Sequence, residues 1–181
     1  MYHIEATLEG LAPILFNRVT DLEALDADKK KGRMSSEDRD TEALQKVYAD
    51  EHGLYLPARN LKKCILEGVA KAGIKVGRAS AMPYIKATVF GTTDRFHFNR
   101  ESPDGVHITT GRRPPKTGGM VIIKRPFLDT GWVLPVSLVV VDDRRDARQI
   151  QIALEEAGLL CGLCDERPEY GRFRVARFER V

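Results

Sequence analysis

Cysteine, tryptophan and long apolar runs are scarce in this chain of 181 residues, which has three Cys, one Trp and an aromatic share of 7%. An odd number of cysteines in a chain long enough to bury a real core argues against a disulfide scaffold and for a reducing, intracellular setting. The longest apolar stretch, residues 132–141, is interrupted by Pro135 and Ser137. It falls well short of the ~18 residues of a membrane span, so no membrane partner is expected. No basic segment followed by an apolar core opens the chain, and no secretion signal is expected. Also missing are a P-loop, a dinucleotide fingerprint, a nucleophile elbow and a paired-histidine zinc helix, so no cofactor is expected. Gly73 to Gly77 (GIKVG) resembles a phosphate loop only superficially. Cys161 and Cys164 form a CxxC pair, but a structural zinc site needs four ligands and only Cys64 remains elsewhere. Core packing is the expectation for all three.

What is present is a composition suited to a globular domain: 43% hydrophobic and 30% charged residues. The net charge of +3 hides an uneven distribution. Residues 57–125 carry fourteen Lys or Arg against four acids, whereas residues 19–53 carry six bases and ten acids. A basic middle creates a local positive field, the usual mark of an anionic polymer or surface as partner; a solubilising surface is the plainer reading.

Residues 2–8 alternate as a half-buried strand does, and residues 13–16 continue an apolar run. A charged excursion follows over residues 19–36. Ala43, Leu44, Val47 and Tyr48 then lie at helical spacing. A short strand is expected at 54–56. Asn60 is the expected N-cap of a helix over 61–72, with Leu61, Cys64, Ile65, Val69 and Ala72 as its apolar stripe and Gly73 as its stop. Residues 83–90 and 105–110 read as strands, paired in a long hairpin, with another short strand at 120–124. The segment 132–141 is the strongest strand, and Pro135 in it implies an edge or a bulge. Asp143 or Asp146 caps a helix ending at Gly158, and residues 171–180 alternate apolar side chains with arginine. Strand, helix, strand, strand, helix, strand is the order of a ferredoxin-like split βαβ unit. The expected class is therefore α+β: a ferredoxin-like, RNA-recognition-motif-like βαββαβ antiparallel sheet with inserted loops and a projecting β-hairpin.

Two motifs carry a family resemblance. LYLPARNLKK at 54–63 resembles the strand–Pro–small–polar–Leu–Lys lead into the first helix of the RAMP superfamily, the repeat-associated proteins of CRISPR systems. GLLCGLCDERPEYGRFRV at 158–175 is similar to that superfamily's glycine-rich loop. This chain has Ala58 and Arg59 where the family often has glycine and serine. It also places Asp165, Glu166 and Glu169 in a loop that would otherwise cradle phosphate. The resemblance implies a single RAMP-like domain over 1–181, with a charged insertion at about 19–53 and a basic finger region at about 84–125. It implies a cytoplasmic backbone subunit of a CRISPR effector complex in antiviral defence, or a phage-encoded relative. Such a protein would bind single-stranded nucleic acid, RNA favoured over DNA, and form a helical homo-oligomer along it, with other effector subunits as further partners.

A single strand needs cations along its phosphates and flat groups under its bases. Arg59, Asn60, Lys62 and Lys63 cluster at a helix start, whose free N–H groups favour phosphate. Arg112, Arg113, Lys116, Lys124 and Arg125 bracket a loop rich in Pro and Gly. Arg95 and Arg100 flank Phe96, His97 and Phe98, whose rings serve either hairpin packing or base stacking. Arg172 lies in the glycine-rich segment, and the resemblance adds a strand contact for Arg18. For the helix cations, a solvated face is the rival reading.

The rival functions are a metal-dependent ribonuclease acting through Asp21, Asp26 or Asp28 in the loop after the first strand, and a phage structural protein whose basic stripe meets an acidic partner. Four histidines are available as general acids or bases, yet none sits beside a recognisable partner.

Overall fold

The computed structural model of the chain describes residues 1–18, 41–112, 119–142 and 146–181. Its central sheet is built from β1 (Tyr2–Gly10), β7 (Val89–Gly91), β11 (Val133–Val140) and β12 (Phe173–Arg180), with β12-β1-β11-β7 as spatial order and every neighbour antiparallel. The alternation expected in the first strand is realised. Tyr2, Ile4, Ala6 and Leu8 are buried, while His3 and Glu5 face out. β11 runs against it from Tyr2↔Val140 to Glu9↔Val133, burying Leu134, Val136, Leu138 and Val140. Pro135 sits opposite Thr7, beyond the reach of β7, which pairs only with Leu138 to Val140. There β11 is locally an edge, and the missing N–H of proline costs no ladder bond.

Two long helices cover the buried face of this sheet. α1 (Ala58–Ala72) buries Leu61, Cys64, Ile65, Gly68 and Val69, a stripe at i, i+3, i+4, i+7 and i+8, and Gly73 closes it in the left-handed region at φ 62°. α1 begins at Ala58, with Pro57 as cap residue and no capping side chain, so Asn60 is inside the first turn and does not cap it. α3 (Ala147–Leu160) is capped by Asp146, whose carboxylate accepts from the Arg148 N–H. It runs past Gly158, which is a contact point and no stop: a Cβ there would stand 2.2 Å from the Phe173 carbonyl oxygen of β12.

The segment expected as a strand at 83–90 is mostly a helix, α2 (Met82–Thr88), and only its tail enters the sheet as β7. Proline is at home in a first helical turn, and Ile85 and Thr88 are buried at helical spacing. The hairpin is instead formed by β9 (Gly105–Arg112) and β10 (Met120–Leu128), in register from Gly105↔Phe127 to Arg112↔Met120. The base of β10 also pairs with β2 (Ile14–Leu15). A third small sheet joins β3 (Ala49–Asp50), β4 (Gly53–Pro57) and β8 (Arg95–His97). A two-stranded ribbon, β5 (Lys75–Val76) with β6 (Ala79–Ser80), follows α1.

Aromatic rings tie these parts together. Phe16, Phe98, Trp132 and Phe173 form a chain of ring contacts with centroid separations of 5.9, 5.8 and 6.4 Å, and the indole N–H of Trp132 donates to the Ala12 carbonyl at 2.9 Å. Burying each such ring contributes on the order of 1.5–3 kcal/mol. Phe96 and Phe98 are thus core residues and not stacking platforms for bases. All three cysteines are free; the Cys64 thiol donates to the Gly162 carbonyl at 3.1 Å, and burial pushes Cys64 and Cys164 up to about 12. Among the described residues no helix is long and apolar enough to cross a membrane, and no group of three His, Cys, Asp or Glu side chains comes together to hold a metal.

Candidate nucleic-acid interface

The helix-free face of the central sheet is not a stacking platform. Glu9 accepts from Arg174 at 2.7 Å, Ser137 donates to Glu5 at 2.6 Å, and Arg177 pairs with Glu179 at 2.6 Å. Paired carboxylates, arginines and a serine stand there, where an RNA-recognition motif displays aromatic rings.

The N-terminal end of α1 is different. The two motifs, far apart in sequence, meet there. Pro57 turns the chain from β4 into α1, and the Ala58 N–H donates to the Asp94 carbonyl at 2.9 Å. With no capping side chain, the Arg59 and Asn60 amides of the first turn have no partner among the described residues, and the helix dipole adds partial positive charge. Against this end lies the loop from α3 to β12. It turns through left-handed backbone at Gly162, Cys164, Glu166 and Gly171. The Leu163 N–H donates to the Gly171 carbonyl, the Asp165 N–H to Leu15, and the Gly171 N–H to Pro13. At Gly171 any Cβ would fall 2.0 Å from the Leu163 carbonyl oxygen, so glycine is required.

The acids of this loop are turned to structural use. Arg125 of β10 is 9% exposed, with Nε on Asp165 and Nη1 2.8 Å from Glu166 Oε1. Asn17 Nδ2 also donates to Asp165, at 3.0 Å. One cation and one amide thereby take up the two carboxylates that would otherwise repel phosphate.

Three hollows form a row along this end. The first, of about 410 Å³, is walled by Arg18, Tyr48, Tyr55, Arg59, Asp94 and Arg95. The second, of about 140 Å³, shares Tyr48 with it and adds Asn17, Asn60 and Asp165. The third, of about 200 Å³, shares Asn60 and adds Lys63 and Arg167. The small β3-β4-β8 sheet positions the first hollow. Tyr55 alternates with the buried Leu54 and Leu56, so its ring faces away from the core. The Arg95 guanidinium stands over that ring at 4.9 Å, the two tyrosine rings are 5.8 Å apart, and Arg18 lies 6.0 Å from Tyr48. Arg95 also donates to Asp50 at 2.7 Å. That bond, with help from the His52 N–H and His97, holds the Asp50 carboxyl down at about 2.

The expected site residues thus divide. Arg18, Arg59, Asn60, Lys63 and Arg95 converge on the row. Lys62 does not: its ammonium donates to the Lys86 carbonyl at 2.9 Å and to Val89, sits 4.1 Å from the Phe90 ring, and burial lowers its pKa. It closes the C-terminal end of α2. Arg125 is buried in the ion pairs just described, which corrects its expected place in a basic groove. Lys124 is half-buried on the β9–β10 hairpin, and Arg172 is exposed but lines none of the three hollows. Arg112 ends β9. Arg113, Lys116, Asp21, Asp26 and Asp28 lie outside the described residues. Tyr48, Tyr55, Asp94 and Arg167 were missed from sequence. For Tyr55 the signal was there, in its alternation with two leucines.

No protein-family model and no curated protein matches the chain. Among solved structures it is similar to a chain in the cryo-EM structure of the Type III-B Cmr-beta bound to cognate target RNA, with a TM-score of 0.65 at 11% identity. The match covers 99% of this chain and 60% of that one. The fold resembles that of this Cmr chain. Identity this low speaks for the fold alone: a ferredoxin-like α+β architecture, the fold that the resemblance of the two motifs implies. This chain spans about 60% of the length of its Cmr counterpart.

Proposed function

We infer that the chain is a non-catalytic, single-strand RNA-binding protein of a CRISPR effector assembly, bound through the row of hollows at the start of α1. The observation that carries this is the convergence of Arg18, Arg59, Lys63 and Arg95 with two tyrosine rings and an uncapped helix N-terminus. Cations track a backbone and rings receive bases, which is the chemistry of single-strand binding. The Cmr fold, seen in a complex bound to target RNA, supports the same reading. Copies are proposed to associate along the strand, with the exposed Ile108, Met120 and Ile122 of the β9–β10 hairpin as the apolar surface available for contact.

The test is fluorescence anisotropy of a labelled single-stranded RNA titrated at several salt concentrations. Changing Arg18, Arg59 and Lys63 together to alanine is expected to reduce the slope of log affinity against log salt by about two, at roughly 0.7 for each phosphate no longer neutralised. An unchanged slope removes these residues from the interface. In the same samples, RNA is expected to survive incubation with Mg²⁺; cleavage products that vanish with chelator would replace this reading with the ribonuclease one.

A further inference from the structure

The first hollow has more chemistry than phosphate binding needs. Its volume of about 410 Å³ falls in the range of small-molecule sites, about 300–1,000 Å³. Its tyrosines are not equivalent. Tyr55 is covered by Arg95 at 4.9 Å, with that guanidinium anchored on Asp50. Tyr48 meets the Tyr55 ring at 5.8 Å and has Arg18 at 6.0 Å, the outer limit of a cation–π contact. Half-buried and without a cation as close as the one over Tyr55, Tyr48 is the ring of the two that a flat ligand would use. Asp94 is the one carboxylate lining the hollow; among the described residues its side chain has no hydrogen bond or ion pair.

A carboxylate only accepts hydrogen bonds, through two oxygens side by side. On their Watson–Crick edges, adenine, cytosine and uracil each offer one donor group next to an acceptor, and that acceptor repels a carboxylate. Guanine alone offers two adjacent donors, N1–H and the N2 amino group. Single-strand recognition works by splaying a base out, stacking it and reading that edge. We propose that the hollow holds one guanine of the bound strand, its N1–H and N2 amino group donating to Asp94 and its ring against Tyr48, with Arg18 and Arg59 on the flanking phosphates. This rests on the single-strand reading above and adds to it a base preference at one position.

The experiment compares three labelled twelve-nucleotide RNAs: all uridine, the same with one central guanosine, and the same with inosine, which lacks the N2 amino group. The guanosine strand is expected to bind about tenfold more tightly than the uridine strand, as one well-made bidentate base contact allows, with inosine close to uridine. Asp94→Asn is expected to bring the guanosine advantage below twofold while uridine binding is kept or strengthened, since a negative charge is lost. Thermal melting of that variant checks that the fold persists. Equal binding of guanosine and uridine strands by the parent protein overturns the guanine site and leaves the single-strand reading intact. Absence of binding to all three strands overturns both.

Discussion

The ion cluster at Arg125 makes a sharp prediction about stability. Arg125 lies on β10, and its side chain is 11% exposed, while those of Asp165 and Glu166 are each 32% exposed. Replacing it with methionine keeps most of the buried volume and removes the charge. Asp165 keeps Asn17 as a donor, but Glu166 loses its cation; the Arg125 Nη1 contact at 2.8 Å is electrostatic, lacking hydrogen-bond alignment. Breaking a fully buried pair costs about 3–5 kcal/mol and an exposed one about 0–1. With the arginine buried and both acids two-thirds covered, Arg125→Met is expected to cost about 2–3 kcal/mol, or roughly 4–12 °C in melting temperature for a chain of this size. The assay is urea unfolding followed by circular dichroism, with calorimetry alongside. Adding Asp165→Asn and Glu166→Gln to Arg125→Met should recover most of the loss, because the penalty comes from stranded charge and not from missing volume. A single variant within about 0.5 kcal/mol of the parent would refute the reasoning and mark the cluster as solvated.

Two further outcomes follow from local geometry. Gly158→Ala should destabilise the protein by about 1–3 kcal/mol despite alanine's better helix propensity, because the new methyl group meets both the Phe173 carbonyl oxygen and its fully buried ring; a raised urea midpoint would contradict this. Asp50, held at about 2 by Arg95, contributes stability that is full above its unfolded pKa near 4 and fades as pH falls through 2. Thermal melts of the parent and Asp50→Asn should therefore differ at pH 6 and converge towards pH 2, and a constant gap would show that the ion pair does not stabilise the fold.

Much of the architecture was legible because its periodicities are long and clean. β1 and β11 alternate over nine and eight residues, and the buried stripes of α1 and α3 run from Leu61 to Val69 and from Ala147 to Gly158; in β12 the alternation shifts after Val175, where its register against β1 slips. The segment at 82–91 failed because it is short. Ile85, Ala87 and Val89 satisfy period two while Ile85 and Thr88 satisfy helical spacing, and no local rule decides between them. Gly158 was misread because a glycine that ends a helix and one that admits a neighbouring strand look alike in sequence. In the site, Arg59, Asn60 and Lys63 were readable from the motif, whereas Tyr48 and Asp94 belong to segments that only tertiary pairing brings together.

The fate of the basic middle shows how far charge counting reaches. Lys62 and Lys63 are adjacent on a helix, so their side chains diverge by about 100°; one enters the row of hollows and the other crosses to α2. Lys124 and Arg125 are adjacent on a strand and point to opposite faces, which sends Arg125 inward to two carboxylates. Arg100 is taken by Asp104. A surplus of ten positive charges over residues 57–125 therefore does not become ten phosphate contacts. Side-chain direction divides it into cations that hold the scaffold together and a smaller set at one helix terminus. That smaller set includes Arg18, which lies outside the basic segment altogether. On the reading proposed above, affinity built on so few contacts would have a shallow salt dependence and leave room for a base-reading contact to decide where on a strand the protein settles.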